Sequence, residues 1–149
     1  MKSAVIYATR SGNTRQVAEA IADVLREQGS IETYSVEHAP ASLDGFDLAV
    51  IGGPTEGHGV TPPMTAYLDA LEATSVKGRL VAVFDTRLAW PRVLAGSAAE
   101  GIARRLSAEG AVLVAGPESF IVSMKPELQP GELDHARRWA RELSVGQRR

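Results

Sequence analysis

The chain has 149 residues, of which 44% are hydrophobic, 23% charged and 5% aromatic, which fits one compact domain spanning 1–149 and excludes a second. No apolar run approaches the roughly 18 residues of a membrane span, and the apolar stretch opening at Ser3 is stopped by Arg10, too soon for a secretory h-region; a soluble, cytoplasmic protein is expected. Zero Cys excludes disulfides, thiolate metal sites, iron–sulfur ligation and cysteine-nucleophile catalysis, and a formal charge of −2 exerts no global pull on nucleic acid.

Lys2 to Ala8 (K-S-A-V-I-Y-A) is a nearly continuous apolar run of β-formers and reads as a strand buried on both faces. After a turn-rich stretch, Val17, Ala18, Ile21, Ala22 and Leu25 recur at helical spacing, with Gly29 where a C-terminal cap belongs. Ile31 to Val36 and Asp47 to Gly53 read as strands. Ser35 to Phe46 between them lacks a helical period and reads as a short helix or an irregular crossing.

Met64 to Leu71 reads as a helix with Tyr67, Leu68 and Leu71 inward, and Leu80 to Asp85 as a strand. Ser97 caps a helix running to Glu109, with Ile102 and Leu106 inward; no base stands at a spacing that would make this serine a nucleophile. Val112 to Val122 reads as a strand bent at Gly116-Pro117, and Glu132 to Leu143 as a last helix followed by a fraying tail, Ser144 to Arg149. Such alternation predicts an α/β fold: a doubly wound parallel sheet with right-handed crossovers and helices on both faces.

Charge is uneven along the chain. Residues 1–85 carry 6 basic and 11 acidic side chains, and residues 86–149 carry 10 and 7. Arg104, Arg105, Arg137, Arg138 and Arg141 either solvate two helices, the simpler reading, or form a docking patch.

In an open parallel sheet, ligands bind beyond the carboxyl ends of the strands, where strand order reverses. The loops to read are therefore Thr9 to Thr14, Pro54 to Pro63 and Thr86 to Gly96. The first, T-R-S-G-N-T, sets hydroxyls, an amide and a glycine before a helix N-terminus. That arrangement suits a phosphate, held by backbone N–H groups and the helix dipole, or it is an ordinary cap loop closed by Thr9 or Asn13.

The run V-I-Y-A-T-R-S-G-N-T-R-Q-V-A-E-A-I, Val5 to Ile21, resembles the flavodoxin signature over seventeen positions. The resemblance implies a five-stranded sheet of order 2-1-3-4-5 and FMN as cofactor, its phosphate cradled by Thr9, Arg10, Ser11, Gly12, Asn13 and Thr14. Flavodoxins usually carry Thr at the position of Ser11, and their phosphate loops usually lack cations such as Arg10 and Arg15. Pro54, Thr55, Glu56, Gly57, His58 and Gly59 correspond to the loop at the flavin's inner side, where the Gly57 peptide turns toward N5. Glu56 stands where the family often stacks an aromatic, which leaves His58, Met64 or backbone to cover that face.

Asp85, Thr86, Arg87 and Trp90 belong to the third loop. Trp90 either stacks on the flavin's outer face or packs beneath the loop. Arg87 or Arg92, if turned to the flavin's pyrimidine edge, would favour the anionic reduced cofactor; otherwise both point into solvent.

The same topology serves phospho-receivers, but Ala8-Thr9 and Gly52-Gly53 stand where a receiver needs carboxylates, and neither G-x-G-x-x-G nor G-K-[ST] is present. The resemblance implies an electron carrier working between a reductase and an acceptor enzyme, expected to be a monomer with no nucleic-acid partner. The alternative is a small NAD(P)H-dependent quinone or flavin reductase.

Overall fold

The computed structural model describes residues 1–57, 59–91 and 96–147, with side chains as far as Leu143. In chain order the elements are β1 (Lys2–Tyr7), α1 (Asn13–Arg26), β2 (Ser30–Ser35), β3 (Leu48–Pro54), α2 (Pro62–Ala70), α3 (Ala73–Val76), β4 (Leu80–Leu88), α4 (Ala98–Ala108), β5 (Val112–Leu113), β6 (Glu118–Val122) and α5 (Glu132–Gln147).

Every pairing between these strands is parallel, in the order β2-β1-β3-β4-β5 that was expected. β6 also lies on β4: β5 pairs at Leu80–Val112 and Val81–Leu113, β6 from Phe84–Glu118 to Leu88–Val122. The two are halves of one edge strand. The break contains the predicted bend, because Pro117 has no N–H to continue the ladder.

The middle stretches of the central strands, Ala4–Ile6, Leu48–Ile51 and Val81–Phe84, are apolar at consecutive positions because they serve two cores. In β3, Leu48 and Val50 face the side of α1 and α5, while Ala49 and Ile51 face the side of α2 and α4. All four are fully buried, as an alternation of period two with both faces covered requires. Gly52 continues this strand where no side chain fits: a Cβ there would lie 2.4 Å from the Phe84 ring. Phe84 uses that space and meets Phe120 and Trp139 edge-on, with centroids 6.0 and 6.2 Å away.

Several expectations are corrected. Gly29 is not the cap of α1, which ends at Arg26 with Glu27 as its C-cap. Its glycine identity is set instead by the amino terminus, since a Cβ would stand 2.1 Å from the Met1 carbonyl oxygen. Ser35 to Phe46 is the irregular crossing, pinned where Ser75 Oγ accepts from Leu43 N at 3.0 Å and Arg79 Nη1 donates to the Phe46 carbonyl at 2.7 Å. The short α3 carries no periodic signal and was not foreseen. β4 runs three residues past Asp85, because β6 supplies a second partner there. α5 continues to Gln147, so Ser144 to Gln147 are helical and only Arg148 and Arg149 of the expected tail lie outside the described residues. Arg105 pairs with Asp69 and Glu109, and Arg137 with Asp134, so two of the five arginines of the charge patch are engaged on their own surface.

Candidate functional site

A groove of about 590 Å³ opens at the carboxyl ends of the strands, where an open parallel sheet presents its ligands. Its walls come from four connections: Arg10, Ser11 and Asn13 after β1; Pro54, Thr55 and Glu56 at the end of β3; Thr86 to Leu88 at the end of β4; and Val122 to Met124 with Pro126 after β6.

The loop before α1 turns on Gly12, the helix N-cap, whose φ of +89° and ψ of −9° place it in the left-handed region that glycine enters without strain. No side chain caps α1. Thr9 instead folds back, its Oγ1 accepting from Gly12 N at 3.1 Å. Asn13 Nδ2 donates to Ser11 Oγ at 3.2 Å and to the Pro126 carbonyl at 2.7 Å. The capping alternative for Thr9 or Asn13 is thus not realised, and the first-turn amides keep their positive potential for an anion. Thr14, expected beside its loop neighbours, is turned inward: it is buried and its hydroxyl shares a 2.8 Å hydrogen bond with that of Thr86.

After β3 the chain makes a tight turn. Glu56 and Gly59 exchange both backbone hydrogen bonds, each 3.0 Å, with Gly57 at φ +52° between them. Glu56 also accepts from the Arg10 guanidinium at 3.0 Å, which joins this turn to the first loop. His58 lies outside the described residues. Thr55 N donates to the Thr86 carbonyl at 2.9 Å, fixing the turn to β4.

Asp85 is fully buried at the end of β4. Its Oδ2 accepts from the Ser97 hydroxyl at 2.6 Å, Ala99 N at 3.0 Å and the Thr55 hydroxyl at 3.2 Å, while Thr55 Oγ1 accepts from Ala98 N at 2.9 Å. Ser97 caps α4 as expected, accepting from Glu100 N at 3.3 Å. Arg87 lines the groove with Nη1 bound to the carbonyls of Leu88, at 3.2 Å, and Trp90, at 2.6 Å. It is therefore engaged by its own loop and not simply solvated. Trp90 is 55% exposed, so it is not packed beneath the loop, and it does not line the groove. Arg92 lies outside the described residues.

The sequence reading missed the connection after β6. Met124, 75% exposed, and Pro126 line the groove, and the Pro126 carbonyl holds Asn13. The signal was available: the rule that selects carboxyl-end loops applies to the edge strand as well, and two prolines and a glycine punctuate Pro126 to Gly131.

The model of the Flavodoxin domain family matches residues 4–93. Among solved structures, a flavodoxin from the domain Archaea is 21% identical, with all of each chain covered and a TM-score of 0.84. Flavodoxin 2 from Bacillus cereus is 24% identical over 97% of this chain and 99% of that one, at 0.81. Rubredoxin oxygen:oxidoreductase from Desulfovibrio gigas is 16% identical over 99% of this chain but 36% of that one, at 0.80. The family match covers the strands and loops that build most of the groove, and the structural likenesses bear out the expected fold.

Proposed function

The chain belongs to the flavodoxin domain family, and from that premise we propose that it holds FMN in the groove and carries electrons between a reductase and an acceptor enzyme. The observation that carries this reading is the junction of the groove with the open N-terminus of α1. Uncapped amides, the Ser11 hydroxyl and the exposed Arg10 there form a donor set suited to a phosphate. Gly12 has nothing within 4 Å of where a Cβ would sit, which leaves a bare backbone face for an anion to approach. The volume is within the range of small-molecule sites.

FMN supplies the electron-accepting ring system; the protein binds, orients and shields it. Thr9, Arg10, Ser11, Gly12 and the Asn13 and Thr14 amides hold the phosphate. The turn Glu56–Gly59, with Pro54 and Thr55 behind it, lies along the flavin, and Gly57, in the left-handed region, is the peptide free to reorient. Trp90, exposed and with its carbonyl held by Arg87, is available to pack on the flavin. No helix among the described residues is long and apolar enough to cross a membrane, in keeping with a carrier that meets its partners by diffusion.

The reading is tested by titrating the purified protein with FMN and following flavin absorbance and fluorescence. Micromolar or tighter binding is expected, with quenching reduced in Trp90→Ala. Absence of binding, or unaltered binding in Gly12→Val, whose branched side chain strains the left-handed residue, would remove it.

A further inference from the structure

The described residues that line the groove assigned to the flavin include two cations, Arg10 and Arg87, and one acid, Glu56. Arg10 and Glu56 are paired with each other, so their charges offset. Arg87 has no such counter-charge. Among the described residues no carboxylate pairs with it, and its Nη1 is taken up by the neutral carbonyls of Leu88 and Trp90. Asp85, two places back on β4, does not line the groove and turns its carboxylate to Thr55, Ser97 and the start of α4. Arg87 is also half-buried, and its Nε is enclosed without a hydrogen-bond partner among the described residues. Water therefore screens it less than it screens the exposed Arg10. The groove carries one fixed positive charge in excess.

A flavin left anionic by full reduction takes up two electrons and one proton, and so gains one negative charge. The second electron, added to a neutral one-electron form, is the step that creates it. A cation without a counter-ion beside the ring favours that step and leaves the first, which takes up a proton with its electron, nearly untouched. A compact space of about 590 Å³ is about 8 Å across, so at an effective dielectric of about 20 a unit charge on its wall shifts such an equilibrium about tenfold once screening from the open side is allowed for. We propose that Arg87 sets the flavin's second reduction, easing the second electron so that the chain delivers electrons in pairs. Partners that exchange hydride equivalents suit such a site better than single-electron centres such as haem or iron–sulfur clusters. The inference rests on the FMN reading above and adds how many electrons that site passes at once.

Stepwise reduction of the FMN-loaded protein with dithionite, followed by absorbance against dyes of known potential, tests it. In the parent the one-electron form is expected never to become the major species. Arg87→Gln keeps donors for the two carbonyls but loses the charge. It should disfavour the second electron about tenfold, which is about 59 mV for a one-electron step, and let the one-electron form accumulate. Arg87→Lys keeps the charge and should behave as the parent does. A one-electron form that dominates midway through the parent's titration overturns the inference, whether or not the variants fold. So do Arg87→Gln and Arg87→Lys shifting alike, which would mark an effect of loop geometry and not of charge. An Arg87→Gln protein with unchanged potentials that binds FMN more weakly but riboflavin as before would show that the cation serves the phosphate, and overturns it too. In each of these cases FMN is bound and the FMN reading stands. A parent that binds no FMN removes that reading, and this inference with it.

Discussion

The Arg10 guanidinium donates to the Glu56 carboxylate at 3.0 Å, so a cation in the loop after β1 is held by an anion in the turn after β3. With 78% of the Arg10 side chain exposed, water screens the pair, and its loss should barely affect stability. Its consequence is competition. A phosphate arriving at the first loop wants the same guanidinium, and Glu56 both withholds it and repels the anion. Glu56→Gln should therefore raise FMN affinity about threefold and leave riboflavin, which has no phosphate, unaffected. Arg10→Ala should lower FMN affinity, again sparing riboflavin. Equal changes for both flavins in a fluorescence titration would show that the pair acts on the ring and not on the phosphate.

Thr14 and Thr86 test a second connection. Their hydroxyls meet at 2.8 Å in a buried setting, 72 residues apart in sequence, so neither is free to serve as a simple phosphate ligand. Thr14→Ala should cost about 1–3 kcal/mol of stability by leaving the Thr86 hydroxyl buried and unpartnered. Thr14→Val with Thr86→Val should cost less than the two single changes added together, because both partners leave at once. Urea denaturation of the parent, the two single valine variants and the double valine variant measures the coupling. Strict additivity would mean that the hydroxyls are independent.

How far the site was legible follows from the same residues. Strands and helices could be read because burial is periodic: β3 alternates between two cores, and α1 buries Val17, Ala18, Ile21 and Leu25 on one face. The left-handed Gly12 and the Glu56–Gly59 turn follow from short-range chain chemistry. By contrast, the inward turn of Thr14 depends on Thr86, and the hold on Asn13 depends on Pro126, 113 residues away. No local pattern encodes such partners. α3 is one turn long, too short for a period to register.

Tyr67 offers a prediction in the core beneath α2. It is buried, and its hydroxyl finds no hydrogen-bond partner among the described residues. Burial pushes its phenol well above the ordinary value of 10.0, because the phenolate would lose its hydration. The folded state thus holds the proton more tightly than the unfolded state, so this group's contribution is intact below pH 10 and is lost progressively as pH rises beyond it. Tyr67→Phe should be neutral or stabilising by about 1 kcal/mol at pH 7, since an unsatisfied polar group is removed. The variant should also lose less stability than the parent between pH 10 and 11.5. Thermal melts across that range decide the matter, and a variant markedly weaker at pH 7 would show that the hydroxyl has a partner.

Asp85 carries the last prediction. One carboxylate oxygen accepts from the Ser97 hydroxyl, Ala99 N and the Thr55 hydroxyl, and all three donors belong to segments that border the groove or α4 beside it. The other oxygen, Oδ1, is buried with no partner among the described residues. A carboxylate bears this geometry because its charge strengthens each of the three bonds and complements the positive end of α4. Asp85→Ala would strand three donors at once and should destabilise the protein by about 3 kcal/mol or more. Asp85→Asn keeps the shape but removes the charge and sets an amide N–H₂ group among donors. It should cost about 1–3 kcal/mol and free the start of α4 together with the turn after β3, which Thr55 ties to it. Amide exchange at Ala98 and Ala99 should then quicken more than at Leu106, on the same helix but outside the network. FMN affinity should fall with it, although Asp85 does not line the groove. Ser97→Ala, which removes one donor and the cap of α4, should cost about 1 kcal/mol and give a smaller version of the same pattern. If Asp85→Asn melts with the parent and exchange at Ala98 and Ala99 is unchanged, the carboxylate is not what holds the two connections together.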